Sequence, residues 1–402
     1  MLQRSFANGA VTYVQRAKVA APGAWRRFDD VVVEAVVKII GGPLSDLSRS
    51  VLFLPMKLGG CGFQAAETRA DAAFVASWAA VAEGVMQDQG AATETESALL
   101  APQLHEAVRQ ARARLSEAGA AQWGERQRDI LAPLARKKVA SIRSEAELRA
   151  TTLLRSQAAE GGAWLLEPRR REHRLANDEF AVCLRRRLLF ADPAGQDGRP
   201  CQHAARGQAQ CGHCEDMAYG CHALCCCQGP GFCRRHNLCQ DALADWSREW
   251  LDCAEVETEQ HVSAWDVQTP QGTKHAVLDV ILPLPGRMVA VDISIAEATS
   301  RDVREERRRA RRSGLAAKDR EKDKHRRYPG PALVAAVLEG GGLWGHELRS
   351  FIKAIAPDGP QRSAATADLK QRLAAALQRG VAAMLLRCAG KARRPWQTWP
   401  GS

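Results

Sequence analysis

Ala276-VLDVILPLPGRMVAVDISI-Ala296 is the stretch that decides the fold. Two alternating runs rich in β-branched residues flank Pro283-Leu284-Pro285-Gly286, and such runs around a proline-glycine turn predict a β-hairpin. A turn centred on Pro285-Gly286 sets Asp279 directly opposite Asp292. Side chains alternate across a strand, so Leu278, Val280, Leu282, Val289, Val291, Ile293 and Ile295 share a face suited to a core. Asp279 and Asp292 share the other face with Ser294. Like charges directly across a strand pair are destabilising. A divalent cation held by both carboxylates offsets that repulsion, and Mg²⁺ takes hard oxygen ligands. The competing reading is a solvated outer face with two ordinary acids, since a slip of one residue would part them.

At 402 residues the chain has room for about two or three domains. Its apolar content of 46% suits a globular protein. The net charge of +11 is unevenly spread: Arg301 to Arg327 holds thirteen Lys or Arg against six Asp or Glu, a surplus of seven. A basic concentration beside a carboxylate pair favours a polyanion, most simply DNA or RNA, over a small-molecule substrate. A solvated, salt-bridge-laced helix is the plainer account of the same charges. No run reaches the ~18 apolar residues of a membrane span, and the start, MLQRSFANGAVTYVQRA, lacks a secretory core. A soluble, intracellular protein is expected, nuclear if it acts on DNA.

Around the hairpin the elements fall into five regions. Residues 1–85 read as mostly helical and 86–198 as a helical spacer rich in Ala, Gln, Glu and Arg. Residues 199–240 hold nine of the thirteen cysteines, 241–356 hold the hairpin, and 357–402 form a basic Ala/Arg-rich tail, partly helical. From residue 240 the predicted order is helix, hairpin, basic helix (about 299–327), strand and helix, which suits an α/β layer. Leu243, Trp246, Trp250 and Leu251 lie at helical spacing as core positions. The fold class expected is mixed α/β: a helical N-terminal half, a small zinc-binding module and an α/β core.

In a reducing compartment the cysteine block points to metal rather than disulfides. Cys211-x2-Cys214 can take adjacent corners of a zinc tetrahedron, and His222 with Cys226 or Cys227 closes the set. Surplus thiols and imidazoles, among them Cys201, His203, His213, Cys221 and Cys233, compete for the same role, and a degenerate patch without metal is the alternative. A catalytic zinc is not expected: there is no H-E-x-x-H, and His213-Cys214-Glu215 matches H-x-E by letters only. Arg234-Arg235-His236-Asn237 follows, with two guanidiniums suited to phosphate.

Taken together, the cysteine block, the Arg-His-Asn motif, the aspartate hairpin and a Lys-Tyr motif resemble the C-terminal end of non-LTR retrotransposon polyproteins of algal and dinoflagellate type. Those carry a zinc knuckle and a restriction-endonuclease-like domain of the PD-(D/E)xK type. The resemblance places Cys211, His222 and Cys226 in the knuckle, with Cys201 or Cys214 as the remaining ligand. It places Arg235, His236 and Asn237 in the Arg-His-Asn motif, Asp279 and Asp292 as the metal-binding acids, and Lys324, Arg327 and Tyr328 in the Lys-Tyr motif. It covers about residues 10–80 and 200–356. Leu278 stands where that family often has Pro, and Ser294 stands where it has a lysine, which makes Lys324 the substitute. In the N-terminal part, Arg16-AKVAAPGAWRRFDDVV and the Leu54-Pro55-x3-Gly59-Gly60-x-Gly62 segment look like the thumb side of a reverse transcriptase. Phe28-Asp29-Asp30 lacks the spacer of the polymerase motif, so reverse transcription is not expected.

The resemblance implies a Mg²⁺-dependent DNA endonuclease: Asp279 and Asp292 on the metal, Lys324 stabilising developing charge, and Tyr328, one turn on, orienting Lys324 or the phosphate. Arg234, Arg235, His236, Arg307, Arg308, Arg311 and Arg312 are the expected nucleic-acid contacts, and zinc is the expected structural cofactor. A binding module without catalysis, or an inert remnant, is the rival.

Overall fold

A computed structural model describes residues 10–17, 23–91, 93–120, 126–204, 208–213, 215, 217–251, 253 and 255–391. The chain is mixed helix and sheet, mostly helical, with 60% of it in helices and 10% in strands. It divides into two compact units: Met1–Pro55 with Gly60–Ala146, and Met56–Gly59 with Glu147–Ser402.

The first unit is helical, with α1 (Ala10–Ala17), α2 (Arg26–Ile40), α3 (Asp46–Leu52), α4 (Ala66–Asp88), α5 (Glu94–Leu100), α6 (Pro102–Ala118) and α7 (Gln127–Glu145). Phe74, Val75 and Trp78 of α4 pack with Val108 and Leu115 of α6 and Ile130 of α7. The Phe28-Asp29-Asp30 run serves this packing. Asp29 is buried and accepts the Ala66 N–H at 2.7 Å, capping the start of α4, while Asp30 pairs with Arg49 at 2.6 Å.

The second unit holds α8 (Leu148–Ser156), α9 (Asn177–Arg187), α10 (Cys221–Cys225), α11 (Gly231–Trp250), β1 (Glu257–His261), β2 (Val267–Thr269), β3 (Gly272–Lys274), β4 (Val277–Leu284), β5 (Arg287–Ala296), α12 (Val303–Arg311), α13 (Leu315–Arg327), β6 (Leu333–Glu339), α14 (His346–Ile355) and α15 (Gln361–Cys388). Four strands form one sheet in the order β1-β4-β5-β6, and β2 pairs with β3 apart from it. β1, β4 and β5 run antiparallel, whereas β6 lies parallel to β5. A parallel neighbour needs a long crossover, and α12 and α13 provide it.

The β4–β5 register follows from its turn. Leu284 pairs with Arg287 across Pro285-Gly286, with Gly286 at φ 74°, a conformation that favours glycine. The pairs continue to Val280 and Val291, and beyond them the Asp279 carboxylate of β4 reaches β5 by accepting the Ile293 N–H. Leu278, Val280, Leu282, Val289, Val291 and Ile293 are buried as expected, while Ile295 is half-buried. The opposite face is mixed: Val277 and Met288 are exposed, whereas Ile281, Ala290, Asp292 and Ser294 are buried.

Three other features depart from the sequence expectations. The basic helix is two helices, broken at Gly314, whose φ is 76°. The 257–274 segment adds three strands that its polar sequence does not announce. Where the chain reads as a partly helical tail, α15 is a 28-residue helix that buries Leu369, Leu373, Leu377, Val381 and Leu385. Trp246 and Trp250 of α11 donate indole N–H groups to it, to the Ala365 carbonyl and the Asp368 carboxylate, each at 2.9 Å. No described helix is long and apolar enough to cross a membrane.

Candidate functional site: an acid pair with a migrated lysine

β4 and β5 carry the two acids side by side, and helices on either side in sequence bring cations to them. Asp279 is met by His236 of α11, whose Nε2 lies 3.0 Å from its Oδ1. Its other oxygen accepts the Ile293 N–H across the strand pair at 2.5 Å. Gln240, one turn further along α11, donates to the Asp279 carbonyl at 3.1 Å. Asp292 pairs with the ammonium of Lys324 from α13. Asp279, Asp292, His236 and Lys324 line one cavity of about 290 Å³, together with Phe232, His275, Ser294, Arg320, Arg327 and Tyr328.

Electrostatics inside the cavity are set by burial. Desolvation raises the pKa of the Asp292 carboxyl above the usual range, and the neighbouring Asp279 charge adds to this, while Lys324 opposes it. His236 is held above its ordinary value chiefly by its bond to Asp279. Arg320 Nε lies 3.4 Å from Ser294 Oγ, so the position two residues after the second acid is served by cations of α13 rather than by its own side chain.

Helical geometry places Lys324 well but treats its neighbours differently from expectation. Lys322 is exposed while Lys324 is buried, as the 100° step of a helix dictates. Tyr328 is not a further turn of α13: it ends the helix, its N–H donating to the Lys324 carbonyl at 2.8 Å. Its ring is buried against Trp265 and lies 5.9 Å from the Lys324 ammonium. Glu321 turns away from the acids and accepts the Glu347 N–H at 3.0 Å, at the start of α14.

The expected nucleic-acid contacts separate into groups. Arg235 is only 1% exposed and sits in the wall of the acid cavity rather than on an open surface. Its guanidinium donates to the Leu224 carbonyl at 3.3 Å, and its stem packs where Gly380 of α15 leaves no side chain. Burial of this arginine ties the cysteine region to α11 and α15. His236 belongs to the acid pocket; nothing in its local sequence signals a partner 43 positions away. Arg307, Arg308, Arg311 and Arg312 are exposed on and after α12, although Arg308 is already engaged by Glu305 and Asp319. Arg320 enters the cavity without having been singled out from the sequence.

The cysteine region brings together Cys201, Cys211, His222 and Cys226, whose ligand atoms all lie within 4.8 Å of one another, a set that could hold a metal such as zinc. Cys201 and Cys211 face each other across a short loop tied by Cys201 N–H to His213 carbonyl (2.8 Å) and Gly212 N–H to Cys201 carbonyl (3.0 Å). His222 lies on α10 and Cys226 ends it, one helical turn apart. Cys201 Sγ is 4.0 Å from Cys226 Sγ, and Cys211 Sγ is 3.5 Å from His222 Nε2. Tetrahedral zinc with its usual bond lengths requires about 3.8 Å between two sulfurs and about 3.5 Å between sulfur and nitrogen. The donor set therefore fits. Cys201 takes the fourth place; Cys214 lies outside the described residues, and Cys227 is exposed with its thiol on the Cys225 carbonyl. The adjacent His213 stacks on His222 at 4.4 Å.

No protein-family model matches this chain, and no curated protein matches it.

Proposed function

We propose that the second unit is a restriction-endonuclease-like core and that the protein is a retroelement-derived, Mg²⁺-dependent DNA endonuclease. The observation that carries this is the meeting of Asp279, Asp292 and Lys324 in one cavity. Two acids on adjacent strands and a cation from the crossover helix form the constellation that phosphodiester hydrolysis needs. The order of the zinc cluster, the Arg-His-Asn motif, the acid hairpin and the Lys-Tyr motif supports the retroelement origin.

Asp279 and Asp292 would hold the metal, which when bound would polarise a phosphoryl oxygen and lower the pKa of a water. Hard carboxylate oxygens suit Mg²⁺. The residues of the chain do the rest. His236 and the Ile293 N–H fix the Asp279 carboxylate; Lys324, released from its pairing with Asp292, stabilises charge on the phosphate. Arg320 and Arg327 at the cavity, and the exposed arginines of α12, hold the DNA backbone, contacts that position without reading sequence. Cys201, Cys211, His222 and Cys226 would bind a structural zinc that orders the start of α11, the helix that presents His236. The place of action would be the nucleus.

One observation favours a second reading, a nucleic-acid-binding module without cleavage. Each acid already has a side-chain partner, His236 for one and the Lys324 ammonium for the other. Plasmid nicking with Mg²⁺ or Mn²⁺, run beside Asp292→Ala, decides between them. Nicking that the substitution abolishes supports the endonuclease; DNA binding with no nicking under either metal supports the module.

A further inference from the structure

His261 closes β1, Asp266 follows the single turn Ser263–Trp265, and His275 stands between β3 and β4. Three separate points of the chain thus converge. His261 Nε2 lies 2.9 Å from both oxygens of the Asp266 carboxylate, and His275 Nδ1 lies 3.0 Å from one of them. The two imidazoles meet edge to face at 4.9 Å. The Ala276 N–H donates to Asp266 Oδ1 at 2.9 Å and so fixes the carboxylate, as outer contacts orient metal ligands.

None of the three fills a core. The His261 and His275 side chains are 46% and 61% exposed, and that of Asp266 is 16% exposed. Exposed charge pairs are screened by water and stabilise little, too little by themselves to hold two imidazoles from separate segments on one carboxylate. A metal ion bound by all three would hold them. Metal bonds of about 2.0–2.2 Å set neighbouring ligand atoms about 3.0–3.5 Å apart, close to the separations found here.

We propose that His261, Asp266 and His275 form a divalent transition-metal site, separate from both the cysteine cluster and the acid pair. Two imidazoles and one carboxylate favour zinc, cobalt or nickel over Mg²⁺, which prefers an all-oxygen shell. Three protein ligands on an exposed surface leave coordination positions open to water or to an oxygen of a bound molecule. The site borders the acid cavity, because His275 lines it. Trp265, in the same loop, donates to the Pro329 carbonyl at 2.8 Å and packs on Tyr328. A metal here pins the 262–275 loop at the mouth of that cavity.

The test uses the full-length protein already loaded with zinc, titrated calorimetrically with ZnCl₂ and then, in a second series, with CoCl₂ followed by absorption. One further equivalent is expected. His275→Ala and Asp266→Asn should each abolish it; asparagine keeps an oxygen for the Ala276 N–H, and unchanged circular dichroism shows that the fold persists. The cobalt form of this equivalent should lack the strong thiolate-to-metal band of a cysteine site. No further equivalent in the parent protein, an equivalent undiminished in both variants, or a thiolate band accompanying it would each overturn the assignment. A parent that takes up no further metal leaves the three residues as a hydrogen-bonded triad. None of these readouts depends on DNA cleavage.

Discussion

Lys324→Met tests the acid pair most sharply, because the expected penalty can be worked from burial. Lys324 and Asp292 are 8% and 4% exposed and pair directly. Removing the ammonium leaves a carboxylate out of water beside the charge of Asp279. Breaking a buried pair by deleting one partner costs about 3–5 kcal/mol. At roughly 2–4 °C per kcal/mol for a unit of this size, the melting temperature should fall by about 6–20 °C. The pH dependence has a definite sign. Asp292 has a raised folded pKa, so the protonated form is favoured by folding. That contribution is present below the ordinary value of 3.8 and is lost as pH rises through the folded value. The Lys324→Met penalty should therefore be large at neutral pH and shrink in acid, where Asp292 protonates. Adding Asp292→Asn should recover most of the loss by removing the orphaned charge, while nicking stays abolished. Urea unfolding at matched slopes measures all three proteins. A single-variant penalty under about 1 kcal/mol, as for exposed pairs, or a penalty independent of pH, would refute the reasoning.

Other outcomes follow from the same geometry. The raised pKa of His236 means that its charged pair with Asp279 stabilises fully below the ordinary value of 6.5 and fades as pH rises through the folded value; His236→Gln should flatten that part of the stability–pH curve. Burial pushes Glu339 up to about 7, so its favourable contribution is lost as pH rises from 4.5 through that value; Glu339→Gln should melt higher than the parent at pH 8. Stripping zinc with a chelator should speed amide exchange around residues 199–240 and leave β4–β5 protected. Cys201→Ser should reproduce this and Cys227→Ser should not. DNA affinity should fall steeply with salt, and Arg307→Ala with Arg311→Ala and Arg312→Ala should lower the salt slope; an unchanged slope would remove α12 from the interface.

Local rules were enough for the hairpin. A two-residue turn and a period of two determine which residues face each other, so the pairing from Leu284–Arg287 back to Val280–Val291 is legible in Pro285-Gly286 and the alternating runs. The cysteine block announces by its composition a cluster that could hold a metal. Each of these signals acts over a few residues, where covalent geometry leaves few choices.

The remaining decisions belonged to contacts between distant segments, which impose no periodicity. Cys201 joins the cluster that could hold a metal because a backbone loop folds it beside Cys211, while the C-x2-C spacing points in sequence to Cys214. Arg235 looks like a phosphate contact in sequence, yet α15 packs over it and leaves it 1% exposed. Within the Ala/Arg-rich tail α15 is a core helix, and Gly380 lets it approach α11 closely at Arg235, an advantage that exists only once the partner is in place. His236, Arg320 and the His261–Asp266–His275 cluster meet their partners only after the sheet and its crossover helices have assembled. Burial, too, is decided there: the same carboxylate is an ordinary surface acid on an open strand, and a desolvated group with a raised pKa once α13 covers it.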